Sequence, residues 1–541
     1  YCQEEKISKL REICLPALEK IIKYQKIQEK NAEINIPIGI FDDPDNQRQE
    51  KAYIPVGTSN TLIIGSSQFG KTNLLQTVIR RIAENYTPEE VSMYILDFGS
   101  MFLKNFETLP NVGGVICPAE DEKIKKFFKF LYKEILSRKE KLLEVGVSSF
   151  NSYKEAGYKD LPNIVVIIDN MTVLKELYLQ EKDELIGLCR DGVSTGITFI
   201  LANAQTTGFG FKYLTNFSTR IALFCNEKSE YLNLFGTNKV SPDEIPGRCI
   251  LEIDKAIYEC QTYLAFEGDK EFERVNAIKE FITERNKNVV GRAKRIPEIP
   301  SVLTQEKLYN MHKAEKGKVV IGLDYESVSG YEIDMRKKNM LTIVGETGSG
   351  KSNFIKYLIN YQSLYNRGIN NYLYIIDDFR KKLENQVDEH TKYSIQFEKI
   401  SEYINEIVLR ASEKMIKIVN GEEVEEDSTL LILNNEQVIE YISKDKIILQ
   451  QFRDLIGKYK MLNIFVVVSN VPNEKIASYG APELYKIIKE NKNILYLGNL
   501  EECNICDVNV QTLRKYNKKI QKGDAYFFSQ GDLVKVKTPL V

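Results

Sequence analysis

The chain has 541 residues, 43% hydrophobic and 28% charged; it is too long for one core, and this composition suits a globular protein of about two to four domains. A net charge of −2 argues against a broadly basic nucleic-acid-binding body, and two histidines with nine scattered cysteines argue against a zinc site. No apolar run reaches the ~18 residues of a membrane span, no signal-peptide pattern is present, and unpaired cysteines suit a reducing compartment.

The chain opens on Tyr1 rather than Met and is read as a piece of a longer protein. In residues 1–30, Leu10, Ile13, Leu15, Leu18 and Ile21-Ile22 recur among charged residues at helical spacing, which predicts a linker helix packed on its neighbour. A first domain is assigned to residues 31–285. Its apolar run Thr61–Ile64 leads into Gly65-Ser66-Ser67-Gln68-Phe69-Gly70-Lys71-Thr72, a G-x-x-x-x-G-K-[ST] loop, and helix-compatible residues follow from Asn73. That order is what a phosphate cradle needs. The glycines let backbone N–H groups turn inward, the helix N-terminus adds its dipole, Lys71 reaches the β/γ-phosphates and the Thr72 hydroxyl can ligate Mg²⁺. ATP and Mg²⁺ are therefore the expected cofactors, and these eight residues the expected nucleotide site.

Further along, Tyr94–Asp97 and Asn163–Asp169 are apolar runs that each end on a carboxylate. Asp169 fits the Walker-B role, a catalytic and Mg²⁺-positioning acid, but the next residue is Asn170, an amide that cannot take a proton from water. Asp97, like Asp377 in the second copy, is open to two readings, a substitute acid or a residue that orients the phosphate loop or caps the helix that follows. Beyond Ile197–Asn203, Gln205 is read as a γ-phosphate sensor with a catalytic role, against a polar residue closing a buried strand. Arg190 and Arg220 are candidate arginine fingers, against the commoner surface salt bridge.

Residues 286–314, basic at first and carrying Pro297 and Pro300, form a connector. A second domain, 315–541, repeats the plan. Leu341–Val344 leads into Gly345-Glu346-Thr347-Gly348-Ser349-Gly350-Lys351-Ser352, with Ser352 as the Mg²⁺-ligating hydroxyl. A spacing of 26 residues separates Lys71 from Asp97 and Lys351 from Asp377 alike. The strand Thr429–Leu433, however, ends in Asn434-Asn435, with Glu436 the first carboxylate, and Pro472 stands where Gln205 does, with Asn470 nearby. An amide oxygen brings no charge to a cation. Nucleotide binding is thus expected of both copies and weak hydrolysis of either, the second copy being worse placed. Cys503 and Cys506 are read as ordinary thiols near a strand–helix junction. Apolar strands alternating with helices predict α/β: two tandem P-loop NTPase (RecA-like) domains, each a mainly parallel sheet covered by helices.

Several stretches resemble the FtsK/SpoIIIE family of ring-forming motor ATPases, and within it the type VII secretion ATPases. They are Ile38–Gln49 with Asp42-Asp43-Pro44, Gly146–Asn151, Arg190–Ile197 with Ala202–Gln205, Pro246–Cys249 with Gln261, Ile296–Pro300 and Ile321–Asp324. Thr198 and Ala204 replace the family's histidine and threonine in the third of these. The resemblance implies the second and third ATPase domains of a membrane-anchored protein, the third degenerate, lying on the cytoplasmic side. It also implies export of WXG100-type proteins, association with other type VII secretion membrane subunits, a homo-oligomeric ring and no nucleic-acid partner. Two rivals stand beside it, an FtsK-like DNA translocase and a non-hydrolysing, nucleotide-stabilised scaffold that binds the substrate.

Overall fold

Every residue of Asn163–Asp169 is buried in the computed structural model, as a strand apolar on both faces requires. The structure describes residues 15–27, 30, 33–206, 211–312, 317–365, 369–471, 481–503, 505, 508, 513, 516, 520–529 and 532–541. Two units divide the chain, Tyr1–Pro297 and Glu298–Val541.

Among the described residues the first unit holds an 11-stranded sheet. From one edge it runs β3 (Arg48–Val56), β2 (Ile34–Asp43), β11 (Ala256–Leu264), β10 (Arg248–Ile253), β9 (Thr219–Leu223), β4 (Thr61–Ile64), β8 (Ile197–Asn203), β7 (Asn163–Asp169), β5 (Val91–Asp97) and β6 (Val112–Ile116). A short β1 (Ile22–Lys23) pairs with β11. The block from β9 to β6 is parallel, and the hairpins β2–β3 and β10–β11 extend it in antiparallel fashion.

The second unit repeats this order strand for strand. Its 10-stranded sheet runs β13 (Gly330–Asp334), β12 (Lys318–Asp324), β21 (Asp532–Lys537), β20 (Asp524–Ser529), β19 (Asn493–Leu497), β14 (Met340–Gly345), β18 (Ile464–Ser469), β17 (Asp427–Leu433), β15 (Asn370–Ile376) and β16 (Thr391–Ser394). In each unit an apolar cluster fills each face of the sheet. The phosphate-loop strand, β4 or β14, sits in the middle of its sheet, so polar residues at the carboxyl ends of its neighbours converge on the loop.

The expected N-terminal helix is corrected. Residues 1–14 lie outside the described residues, but 15–27 hold no helix, only the short strand Ile22–Lys23. Pro16 has no N–H to give a helix, and the carbonyls that a helix would use are taken by side chains of the body. Gln49 donates to Pro16 O, Arg248 to Leu18 O and Glu19 O, and Arg81 to Gln25 O. Tyr24 lies against two guanidiniums, 3.8 Å from Arg80 and 3.9 Å from Arg81, and donates its hydroxyl to Glu84. The connector region is shared out. A helix runs Glu271–Asn288, Ala293 and Ile296 dock on β6 through Pro110 O and Gly113 O, and the helix Gln305–Met311 packs Leu308 into the second unit.

Candidate functional site

Both phosphate loops join a central strand to a 15-residue helix, Lys71–Asn85 or Lys351–Tyr365. Gly70 and Gly350 have φ of 100° and 110°, the left-handed region that favours glycine, immediately before the first helical residue. The lysine ammoniums fold back alike: Lys71 donates to Gly65 O at 2.6 Å and Ser66 O at 2.9 Å, Lys351 to Gly345 O at 2.6 Å and Glu346 O at 2.8 Å. Burial holds each below its ordinary pKa.

The first loop is clamped by the sheet on one side and by the β10–β11 hairpin on the other. Gly65 N–H donates to Asn203 O, Ser66 N–H to Phe224 O, and the Ser66 hydroxyl accepts from Asn226. Phe69 packs on Phe224 with ring centres 4.6 Å apart, and its carbonyl accepts from Gly247 N–H at 3.0 Å. Ser67 and Gln68 form the exposed tip, with Gln68 at φ 70°.

Behind this loop Asp169 ends β7, in register with Asp97 at the end of β5. Its carboxylate lies 3.3 Å from the Thr72 hydroxyl, an oxygen pair of the kind Mg²⁺ takes together with phosphate oxygens and water. Burial, then the charge of Asp97, lifts the Asp169 carboxyl to about 6, opposed by Lys71 and Thr72. Gly99 leaves room for it, since a Cβ there would lie 2.8 Å from Asp169 Oδ2. Asp97 is fully buried and accepts the backbone N–H groups of Met101, Leu103 and Lys104. That is the capping reading. Burial nonetheless raises its pKa.

The other candidates separate. Asn170 takes φ 67°, a conformation asparagine tolerates, and turns its amide to Phe98 O. Gln205 is exposed just past β8, its carbonyl held by the Asn203 amide. Arg220 gives its guanidinium to three carbonyls of its own unit, Phe217, Leu234 and Leu214, and so serves packing. Arg190 is exposed and paired with Asp191 at 2.8 Å.

At the second loop the Walker-B position is an amide built into a network. Asn434 donates to Asp377 at 2.7 Å and accepts from Asn470 at 3.1 Å. Asp377 also receives the N–H groups of Asp378 and Leu383 and the Tyr393 hydroxyl. Asn435 caps the helix Glu436–Lys444 by accepting from Gln437. A cavity of about 180 Å³ opens beside the loop, lined by Thr347, Lys351, Ser352, Asp378, Arg380 and Lys382 among others. Ser352 thus lies at the cavity, but the carboxylate that would complete a Mg²⁺ set is replaced by the Asn434 amide. Pro472 and Cys506 lie outside the described residues.

One pair of site residues escaped the sequence reading. Asn73 donates to Tyr263 O and accepts from Ala265 N–H, while Asn353 donates to Pro539 O and accepts from Val541 N–H. Each latches the helix that carries the loop to the backbone of the last strand or the residues just past it. The signal was there, the same asparagine directly after Lys-[Ser/Thr] in both copies.

A phosphate loop at the middle of a mostly parallel sheet, carried twice in one strand order, defines a tandem P-loop NTPase, and that class implies nucleotide binding. Residues 18–214 match the FtsK/SpoIIIE family. The ESX secretion system protein EccC of Geobacillus thermodenitrificans is 27% identical over 94% of this chain and 35% of its own length. A solved structure of EssC ATPases 2 and 3 from the same organism covers 97% of this chain and 100% of its own at TM-score 0.80 and 24% identity. EccC ATPases 2 and 3 of Thermomonospora curvata, solved with a signal sequence peptide, cover 97% of each chain at TM-score 0.67 and 20% identity. The chain is a relative of the FtsK/SpoIIIE-type ATPases of type VII secretion, as its motifs implied. It spans 24–35% of the length of the first curated relatives it matches. Among the described residues no helix is long and apolar enough to cross a membrane.

Proposed function

We propose that this chain is an ATP-binding motor and regulatory segment of a type VII secretion system, coupling nucleotide binding to the recognition and export of WXG100-type proteins. The observation that carries it is the asymmetry of two equal cradles: Asp169 faces Thr72 at 3.3 Å in the first, whereas Asn434 is tied to Asp377 in the second. The first unit binds ATP with Mg²⁺ held by Thr72 and Asp169 and hydrolyses it weakly or conditionally, because the residue after the acid is Asn170. Gln205, exposed beside Asn203, orients the attacking water there. The second unit holds nucleotide without turning it over. Substrate recognition draws support from the signal peptide bound to the T. curvata relative. The working form is a homo-oligomeric ring on the cytoplasmic side of the membrane, with the other secretion subunits as partners.

The test is a pair of loop variants. Lys71→Ala and Lys351→Ala should each remove about one equivalent of bound ATP by calorimetry, and each should lower export of the cognate substrate in cells. Full export with both variants combined would sink the motor reading. DNA-stimulated, salt-sensitive ATP hydrolysis would replace it with a DNA translocase.

A further inference from the structure

Resting on the reading of both loops as nucleotide sites, we propose that the second unit binds the triphosphate without a divalent metal, with the side-chain cations Arg380 and Lys382 standing where Mg²⁺ acts in the first. The two units solve the same electrostatic problem with different parts. After β5 the first unit continues Phe98-Gly99-Ser100-Met101-Phe102, which carries no charge, and leaves the Asp169 carboxylate and Thr72 hydroxyl beside the loop. After β15 the second continues Asp377-Asp378-Phe379-Arg380-Lys381-Lys382, and Arg380 and Lys382 line the same cavity as Lys351. Of the charged residues lining that cavity three are cations and one, Asp378, is an acid.

The donor set around the cavity does not suit a divalent ion. Asn434, at the Walker-B position, has its oxygen on Asn470 and its amide on Asp377. The Asp377 oxygens accept two backbone N–H groups, the Tyr393 hydroxyl and Asn434. Asp378 accepts the Arg380 N–H and the Asn470 amide. A dication placed by Ser352 would face amides and already hydrogen-bonded carboxylates while three cations repelled it. An anion meets the opposite situation. Lys351, Arg380 and Lys382 all line the one cavity, with Asp378 as the one acid among its lining residues. A metal-free triphosphate, more anionic than its Mg²⁺ complex, supplies negative charge, and Arg380 can grip two phosphate oxygens at once.

The experiment titrates ATP into the intact chain by calorimetry, in EDTA and in Mg²⁺, on a Lys71→Ala background that leaves the second loop alone. The expected result is a dissociation constant that changes by less than about threefold between the two media, and that rises about tenfold or more when Arg380 and Lys382 are both changed to Gln. Unchanged thermal unfolding of that variant in the absence of nucleotide keeps the loss assignable to the site. Binding that appears only with Mg²⁺, or that ignores the Arg380→Gln, Lys382→Gln pair, overturns the metal-free assignment while leaving the nucleotide site standing. No binding in either medium removes the nucleotide reading of the second loop and the inference with it. The Lys351→Ala chain, which reports on the first loop, should by contrast lose affinity about tenfold or more in EDTA.

Discussion

The Asn434 amide donates to the Asp377 carboxylate at 2.7 Å, across two neighbouring strands, at the place where the first unit sets Asp169 in register with Asp97. One unit therefore buries a hydrogen bond where the other buries two acids side by side. Two carboxylates this close and this dry cannot both ionise cheaply. The first unit keeps a strained, cation-attracting pair, and the second has exchanged it for rigidity.

A pH dependence follows for Asp169. Its folded pKa of about 6 stands above the ordinary 3.8, so between these values the folded chain keeps a proton that the unfolded chain releases. Stability from this group is full below about pH 4 and is lost as pH rises through about 6, a change on the order of 3 kcal/mol. Asp169→Asn should raise the urea midpoint at pH 7.5, leave it nearly unaltered at pH 4, and abolish the Mg²⁺ dependence of ATP binding at the first loop. A less stable variant at pH 7.5 would mean that the carboxylate is better compensated than Lys71 and Thr72 make it.

The converse exchange, Asn434→Asp, should destabilise the second unit. It replaces a donor to Asp377 with a like charge in a fully buried setting, while the oxygen that accepts from Asn470 is kept. The cost should be roughly 2–4 kcal/mol at neutral pH, easing below pH 5 as one acid protonates. Chemical denaturation at two pH values reads both parts. An unaltered midpoint at pH 7.5 would show that water or a cation reaches the new carboxylate.

Much of this was legible in the chain itself. Equal spacing from each lysine to Asp97 and Asp377 announced the duplication, and the thinning of acids from Asp169 to Asn434 announced the asymmetry, because a Walker-B strand advertises its end by breaking an apolar run. Three things were not legible. The stretch 15–27 has helical spacing, yet the demand of Arg248, Arg81 and Gln49 for its carbonyls overrides that local preference. Nor does a sequence say whether an aspartate at a strand end faces a ligand or caps the segment after it, so the binding of Asp97 to Met101, Leu103 and Lys104 emerged only from the fold. Arg220 reads as an arginine finger or a surface ion pair until the fold brings the carbonyls of Phe217, Leu214 and Leu234 around it.

The paired latches Asn73 and Asn353 should behave alike. Each makes two hydrogen bonds to backbone, Asn73 sharing Tyr263 O with the Thr77 hydroxyl, so alanine at either should cost about 1–3 kcal/mol. Hydrogen exchange should then quicken at Tyr263–Ala265 in Asn73→Ala, and at Leu540 and Val541 in Asn353→Ala, with the other unit unaffected. Equal exchange in variant and parent would show that the last strand is held by its sheet partners alone.

Tyr24 anchors the non-helical N-terminal strap, residues 15–27. Its ring covers Arg80 and Arg81 and its hydroxyl meets Glu84, with burial and that carboxylate holding the phenol far above its ordinary pKa. Tyr24→Ala should expose both guanidiniums, cost about 1–3 kcal/mol and open 15–27 to limited proteolysis, while Tyr24→Phe should keep the strap docked. Equal cleavage of the two variants would place the anchor at Leu18 and the carbonyls held by Arg248.

Gly247 ties the closing hairpin to the phosphate loop, and a methyl group there tests how rigidly the cradle is held. Its φ is 83°, and a Cβ would come within 2.8 Å of Thr262 Oγ1 and Gln261 Nε2. The same residue donates its N–H to Phe69 O at 3.0 Å, and the position a Gly70 Cβ would take is 3.0 Å from that nitrogen. Gly247→Ala should therefore strain the hairpin by roughly 1–2 kcal/mol and shift it against the loop, weakening ATP binding several-fold on a Lys351→Ala background. On a Lys71→Ala background, where only the second loop reports, the same substitution should leave affinity unaltered. Equal losses on both backgrounds would assign the effect to global unfolding rather than to the cradle.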